Sequence, residues 1–167
     1  EIEYAMEKSE HTWIIDFQYY SDSNQIFPKE IAIINCFTND KACSFIAKSP
    51  YMTREAFDAN QTFQYQYNLH KTPWTFGDVE NWAAKLKSKV GPNHWIYVKG
   101  AAKRDFLTTH GFVNVVDMDE SGCPSLSFLY RENKTVKFEK CNLHKNAWGL
   151  CSLSNVYILR KWFNSTK

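Results

Sequence analysis

Two cysteines and a histidine near the C-terminal end of the chain form its most constraining local pattern. Cys141, His144 and Cys151 follow the spacing Cys-x2-His-x6-Cys. Thiolate and imidazole groups are ligands that zinc prefers in tetrahedral protein sites, and a Cys-x2-His turn lets two of them reach one ion. The pattern therefore predicts a zinc site that holds the C-terminal segment against an earlier part of the chain.

A tetrahedral site needs a fourth ligand, and spacing alone does not choose it. Several side chains are suitable by residue type, namely Glu30, Cys36, Cys123 and Glu139. Two other interpretations of the pattern stay open: a disulfide between Cys141 and Cys151, or two unrelated buried cysteines beside a surface histidine. A closed site with four protein ligands is structural rather than catalytic.

Length and cysteine count limit the class of protein. The 167 residues fit a single domain, 1–167, in which we expect residues 1–10 to form a frayed lead-in. The five cysteines are an odd number, which argues against a fully paired secreted scaffold, so we expect an intracellular protein, cytoplasmic or nuclear. No apolar run approaches the ~20 residues of a membrane span, and we expect no membrane partner.

The order of the predicted strands and helices indicates the fold class. Hydrophobic periodicity and turn residues give the following order: strands at 13–20, 30–37 and 42–47, helices at 54–60 and 78–90, a strand at 95–98, a helix at 101–110, a strand at 112–118, and helices at 124–131 and 149–163. Short turns between the first three strands indicate an antiparallel meander. The whole order predicts an α/β domain with a mixed five-stranded sheet flanked by helices, as in ribonuclease H-like folds.

The C-terminal pattern, together with an early strand, resembles the Maelstrom domains of the piRNA pathway. The likeness rests on Cys141, His144 and Cys151 ahead of a helix, and on the Glu-Ile-Ala segment that begins at Glu30. The second gap of this chain is one residue longer than the family's spacing. These domains combine a ribonuclease H-like fold with a Glu-Cys-His-Cys zinc site, so the resemblance implies that Glu30 is the fourth ligand.

The resemblance also implies single-stranded RNA binding in small-RNA silencing, with protein partners in a silencing complex. The related DEDD exonucleases use four acidic residues to hold two Mg²⁺ ions. Here Asp16 is retained, Gln18 replaces the next acidic residue, and Lys103 stands near the expected place of another. Amide and ammonium groups are poor Mg²⁺ ligands, so we expect two-metal catalysis to be lost, with Asp16 as the candidate catalytic residue that remains.

Basic residues are unevenly distributed, although the formal net charge is only +2. A concentration of them lies in and after the helix predicted at 78–90. Such a concentration is either a solvated helix face or a surface that binds phosphates. The candidate RNA-binding residues are Lys85, Lys87, Lys99, Lys103 and Arg104.

Three functions are compatible with these patterns. The first is a zinc-stabilised domain that binds single-stranded RNA without two-metal catalysis. The second is an active single-strand-specific ribonuclease that uses Asp16 or a site near the zinc. The third is a protein-interaction scaffold in which zinc is purely structural. Salt separates the first from the third, because contacts to RNA phosphates weaken steeply as salt rises.

Overall fold

The computed structural model describes residues 11–22, 24–48, 53–60, 77–141, 143–144 and 151–166, so the lead-in expected at 1–10 lies outside the described residues. In chain order the elements are β1 (Thr12–Asp22), β2 (Gln25–Asn35), β3 (Cys43–Ile46), α1 (Arg54–Ala59), α2 (Trp82–Lys87), β4 (Trp95–Val98), α3 (Ala101–Thr109), β5 (Val115–Asp117), a 3₁₀ turn (Met118–Ser121), α4 (Leu126–Glu132) and α5 (Ser152–Ser165).

The strands form one five-stranded mixed sheet in the order β3-β2-β1-β4-β5. The first three strands are antiparallel neighbours, whereas β4 runs parallel to both β1 and β5. Each parallel connection carries a helix, as parallel neighbours require a crossover. The predicted α/β class with a mixed five-stranded sheet is confirmed.

The second strand begins earlier than its sequence pattern predicts. It starts at Gln25 rather than at residue 30, and it contains Pro28. Gln18 of β1 lies opposite Glu30 while Tyr19 lies opposite Pro28, so Lys29 is the extra residue of a β-bulge. A bulge tolerates a proline, which cannot donate a ladder hydrogen bond, and it re-aims the side chains beside it. This bulge lies directly before Glu30.

The two faces of the sheet are covered by different helices. Ile14, Ala32 and Ile34 pack against α5 on one face. Leu86 of α2 and Leu107 of α3 belong to the cluster on the other face, where they pack with alternate residues of the same strands. This alternation follows from the two-residue period of a strand. Glu30 is two residues from Ala32 in β2, so its side chain faces α5 as well.

The helix predicted at 78–90 is shorter in the structure. It begins at Trp82, and the side chain of Asn81 caps it by accepting a hydrogen bond from the Ala84 amide at 3.0 Å. Asp78, the first residue of the predicted helix, lies outside the observed helix, and Val79 instead forms a parallel β-bridge with Ala47. Residues 77–80 are therefore held at the edge of the sheet.

Two further boundaries differ from the sequence-based ones. The strand predicted at 112–118 is only Val115–Asp117, because Asn114 adopts a left-handed backbone conformation with φ of 49°. The last helix begins at Ser152 rather than at residue 149, with Cys151 as its N-cap. Within the described ranges, no helix is both long and apolar enough to cross a membrane.

The packing of α5 on the sheet predicts that a valine-to-alanine substitution lowers stability more at one position than at another. Val156 of α5 is fully buried, whereas Val136 is 41% exposed. Val156→Ala removes buried methyl groups and leaves a cavity, so it should lower the free energy of unfolding by about 2 kcal/mol, while Val136→Ala should change it by less than ~0.5 kcal/mol. Urea denaturation of both variants measures the difference, and equal losses would contradict the assigned core.

Candidate metal centre

Four side chains from distant parts of the chain meet between β2 and the start of α5. They are the residues of the predicted zinc site, Glu30, Cys141, His144 and Cys151, and their ligand atoms all lie within 4.8 Å of one another. Such a group could hold a metal ion. Glu139, an alternative fourth ligand by residue type, instead accepts a hydrogen bond from the Tyr157 hydroxyl at 3.1 Å.

The Glu30 carboxylate is the centre of the group. Its Oε2 lies 2.6 Å from Nε2 of His144, and its Oε1 lies 3.4 Å from Sγ of Cys151. The side chains of both Glu30 and His144 are essentially inaccessible to solvent. A buried carboxylate needs hydrogen bonds or a compensating charge, so these contacts are what makes its burial tolerable.

The first turn of α5 supplies the rest of the environment of Glu30. The Ser152 amide donates to Oε1 of Glu30 at 3.0 Å, and the Ser152 hydroxyl donates to the backbone carbonyl of the same residue at 3.2 Å. Helix N-terminal amides point outward unpaired and favour negative charge. Because Cys151 is the N-cap of this helix, the same helix end favours its thiolate.

The thiol groups of the two cysteines are hydrogen-bonded to each other. A hydrogen bond from the Cys141 thiol lowers the pKa of the Cys151 thiol to about 7, because it stabilises the thiolate. The same hydrogen bond, together with burial, raises the pKa of the Cys141 thiol. Two thiolates and a carboxylate cannot all be charged at this separation without a cation, because they repel one another. A divalent ion is the group that would let all three lose their protons.

The donor set fits a small tetrahedral ion. Metal–ligand bonds of about 2.0 to 2.3 Å place tetrahedral ligand atoms about 3.3 to 3.8 Å apart. The four ligand atoms lie within 4.8 Å of one another, which is close to that spacing. Two sulfurs, one nitrogen and one carboxylate oxygen complete four ligands from the chain itself.

The candidate catalytic residue Asp16 lies on the same face of the sheet and is also fully buried. Its Oδ1 accepts a charge-assisted hydrogen bond from Nζ of Lys103 at 2.5 Å, and its Oδ2 accepts one from Nδ2 of Asn155 at 2.9 Å. The Tyr130 hydroxyl in turn donates to Oδ1 of Asn155 at 2.7 Å. Burial raises the pKa of Tyr130, so the hydroxyl stays a donor. Both oxygens of the carboxylate are thus engaged by the chain.

Sequence reasoning missed three polar residues of this region, Ser152, Asn155 and Tyr130. Ser152 and Asn155 are three residues apart in α5, so they lie on one face of the helix, and both are fully buried. Polar residues at helical spacing within an otherwise apolar helix are a signal that they satisfy buried groups. Tyr130 gives no such signal in the sequence.

The candidate RNA-binding residues fall into two groups. Lys85 and Lys87 lie on α2, where Nζ of Lys87 donates to the His110 carbonyl at the end of α3 at 2.9 Å. The second group, Lys99, Lys103 and Arg104, lies at or just before the start of α3, and each of its members contacts an acidic side chain. The length of this nine-residue helix, about 13 Å, separates the two groups. Those ion pairs are Lys99 with Asp119, Lys103 with Asp16, and Arg104 with Asp105 and Glu120.

Comparisons with known proteins add little to this geometry. No protein-family model and no curated protein matches the chain. Among solved structures, the chain is similar to one in the "Structure of yeast NOT1 MIF4G domain co-crystallized with CAF1", with 10% identity and a TM-score of 0.48. The match covers 99% of this chain and 85% of that chain. At this identity and TM-score the likeness carries no argument about family or function.

Proposed function

We propose that this protein is a zinc-stabilised, ribonuclease H-like domain that binds single-stranded RNA and lacks two-metal nuclease catalysis. The observation that carries the proposal is the group of Glu30, Cys141, His144 and Cys151, of which all but Cys141 are buried. It is the ligand set that the resemblance to Maelstrom domains implies, and it joins residues more than a hundred positions apart in the sequence.

The chemistry of the donors favours zinc. Two thiolates and an imidazole suit Zn²⁺, whereas Mg²⁺ and Ca²⁺ take oxygen ligands. Four ligands from the chain leave no open position for water or substrate, which is the arrangement of a structural site. The ion would therefore supply folding free energy, by holding α5 and residues 141–144 against β2.

The surroundings of Asp16 argue against a two-metal nuclease. The ammonium of Lys103 lies where a cation would have to approach this carboxylate, and Asn155 engages the other oxygen. Gln18, the neighbour on the same face of β1, offers an amide rather than a carboxylate. A cluster of several carboxylates is what holds two Mg²⁺ ions, and this site offers one that is already neutralised.

Lys85 and Lys87 are the best candidates for contacts with RNA phosphates. Both side chains of α2 are exposed, and neither has a carboxylate partner among the residues that the structure describes. Lys99, Lys103 and Arg104 would have to leave their acidic partners to bind a phosphate. We therefore assign the phosphate contacts to α2 first.

The same ion pairs favour a second candidate function, a protein-interaction scaffold with structural zinc. A phosphate-binding surface gains affinity from cations that are free to release counterions, and three of the five candidates are internally neutralised. Failure to bind single-stranded RNA at low salt would favour this second function over the first.

Removing one metal ligand should remove the ion and destabilise the fold. We expect the purified protein to hold one zinc per chain, and His144→Ala to hold none and to melt about 10 °C lower, since structural zinc binding is folding free energy. Elemental analysis and thermal denaturation measure both. A chelator should lower the melting temperature of the parent but leave that of His144→Ala unchanged.

His110→Ala is the matched control for this experiment, because His110 is exposed and lies outside the metal group. It should retain the full zinc content of the parent. A His144→Ala protein that melts like the parent and holds as much zinc would show that the site is misassigned.

The neutralised Asp16 predicts that the protein does not cleave RNA with Mg²⁺. Incubation of a labelled single-stranded RNA with the protein should give the same slow degradation in Mg²⁺ as in EDTA, because Lys103 and Asn155 already engage both oxygens of Asp16. Mg²⁺-dependent cleavage that disappears in Asp16→Asn would instead establish the active ribonuclease.

Charge removal on α2 tests the RNA surface. Lys85→Gln combined with Lys87→Gln should weaken binding of a labelled single strand and reduce the slope of log affinity against log salt by about 1.4, roughly 0.7 for each lost phosphate contact. Fluorescence anisotropy at several salt concentrations gives both quantities. The control pair Lys134→Gln and Lys137→Gln removes the same charge from exposed positions outside the surface. Equal losses in the two pairs would mean that α2 makes no specific contact.

A further inference from the structure

We propose that Cys141 and Cys151 form an oxidation site, at which a peroxide converts the two metal-binding thiolates into a disulfide and releases the metal. This inference rests on the zinc site of the proposed function. It adds a covalent modification, with a hydroperoxide as the class of reactant, to a site whose other role is to hold the fold together.

The geometry places the two sulfurs within reach of each other. They lie within 4.8 Å, and the Cys141 amide nitrogen is 3.3 Å from Sγ of Cys151, so the backbone of one cysteine already packs on the sulfur of the other. A disulfide bond is about 2.0 Å long, so the sulfurs need to approach by less than about 3 Å. The two cysteines are ten positions apart in the sequence, and neither of them lies in a strand of the sheet.

The two cysteines differ in access to solvent, which sets the order of reaction. Cys151 is completely buried, whereas Cys141 is only partly buried. A small peroxide can reach the sulfur of Cys141 first, because attack by a thiol depends on access as well as on thiolate character. Cys151 then acts as the resolving cysteine from within the protein.

The reaction balances with hydrogen peroxide as the oxidant. The Cys141 thiolate attacks one oxygen, the O–O bond breaks, and a sulfenic acid and one hydroxide result. The Cys151 thiolate then attacks the sulfenic sulfur and displaces the second hydroxide, which forms the S–S bond. Two thiolates lose two electrons in total and the peroxide gains them, while the two hydroxides take protons from solvent to become water.

Loss of the two thiolates leaves a site that can no longer hold the ion. Only Glu30 and His144 remain as ligands, and two ligands bind zinc far more weakly than four. The new disulfide joins Cys141 to Cys151, but neither of these residues is in β2. Oxidation therefore replaces a link between α5 and the sheet by a link within the C-terminal segment, and the oxidised protein should melt at a lower temperature.

The test uses the zinc-loaded protein and hydrogen peroxide. A chromogenic chelator should report release of all the bound zinc, and the intact mass should fall by two hydrogen atoms relative to the metal-free reduced protein. Trypsin cuts after Lys140, Lys145 and Arg160, so the disulfide should join the peptides 141–145 and 146–160. A thiol reductant with added zinc should restore the metal content and the melting temperature.

Two variants separate the site from the other cysteines. Cys123→Ser should release zinc and form the joined peptides as the parent does, because burial raises the pKa of the Cys123 thiol to about 11 and makes it a poor reactant. Cys141→Ser should never give the joined peptides. Zinc release and the joined peptides are also measured on the parent protein, so the test does not depend on how well the variants fold.

Failure of this inference is distinguishable from failure of the zinc site. If the purified protein contains no zinc, and none binds on addition, the proposed metal centre is wrong and the release step falls with it. If zinc is bound but peroxide neither releases it nor joins the two peptides, the oxidation site is wrong and the metal centre stands. Release of zinc with sulfinic acid on Cys141 and no joined peptides would also overturn the inference.

Discussion

The structure depends most on one buried carboxylate, that of Glu30. It is fully removed from solvent in the middle of β2, a position where an uncompensated charge would be strongly destabilising. Compensation comes from His144 and from the Ser152 amide at the start of α5, and the surrounding group could also hold a metal ion. Because these partners come from separate segments, satisfying a single carboxylate fixes the C-terminal segment on the sheet.

Residues at the start of α5 donate hydrogen bonds to two buried carboxylates. Ser152 contacts Glu30, and Asn155, one turn later, contacts Asp16 on the neighbouring strand. The two acids are satisfied in different ways: the group around Glu30 has the ligands for a metal ion, whereas Asp16 has the ammonium of Lys103. A lysine side chain performs the neutralising role of a cation without offering a Lewis acid. Both buried carboxylates are therefore satisfied by positions three residues apart on one helix.

The electrostatics of the basic residues follow from the topology. The carboxyl ends of the parallel strands β4 and β5 bring Lys99 beside Asp119, and the start of α3 brings Arg104 beside Glu120. A run of basic residues in the sequence thus becomes a set of ion pairs in the fold. Of the five candidate RNA-binding residues, only Lys85 and Lys87 of α2 have no acidic partner within the part of the chain that the structure describes.

The sequence by itself determined the element order, the α/β class and three of the four residues that could hold a metal ion, because local periodicity and the Cys-x2-His-x6-Cys spacing are properties of short segments. Glu30 came from the family resemblance, since no local rule links it to residues more than a hundred positions later. Tertiary structure alone decided the bulge that places Pro28 and Lys29 inside β2, the bridge that delays α2, and the pairing of Lys103 with Asp16. Each of these is a contact between distant segments, and its energy depends on a partner that a local pattern does not contain.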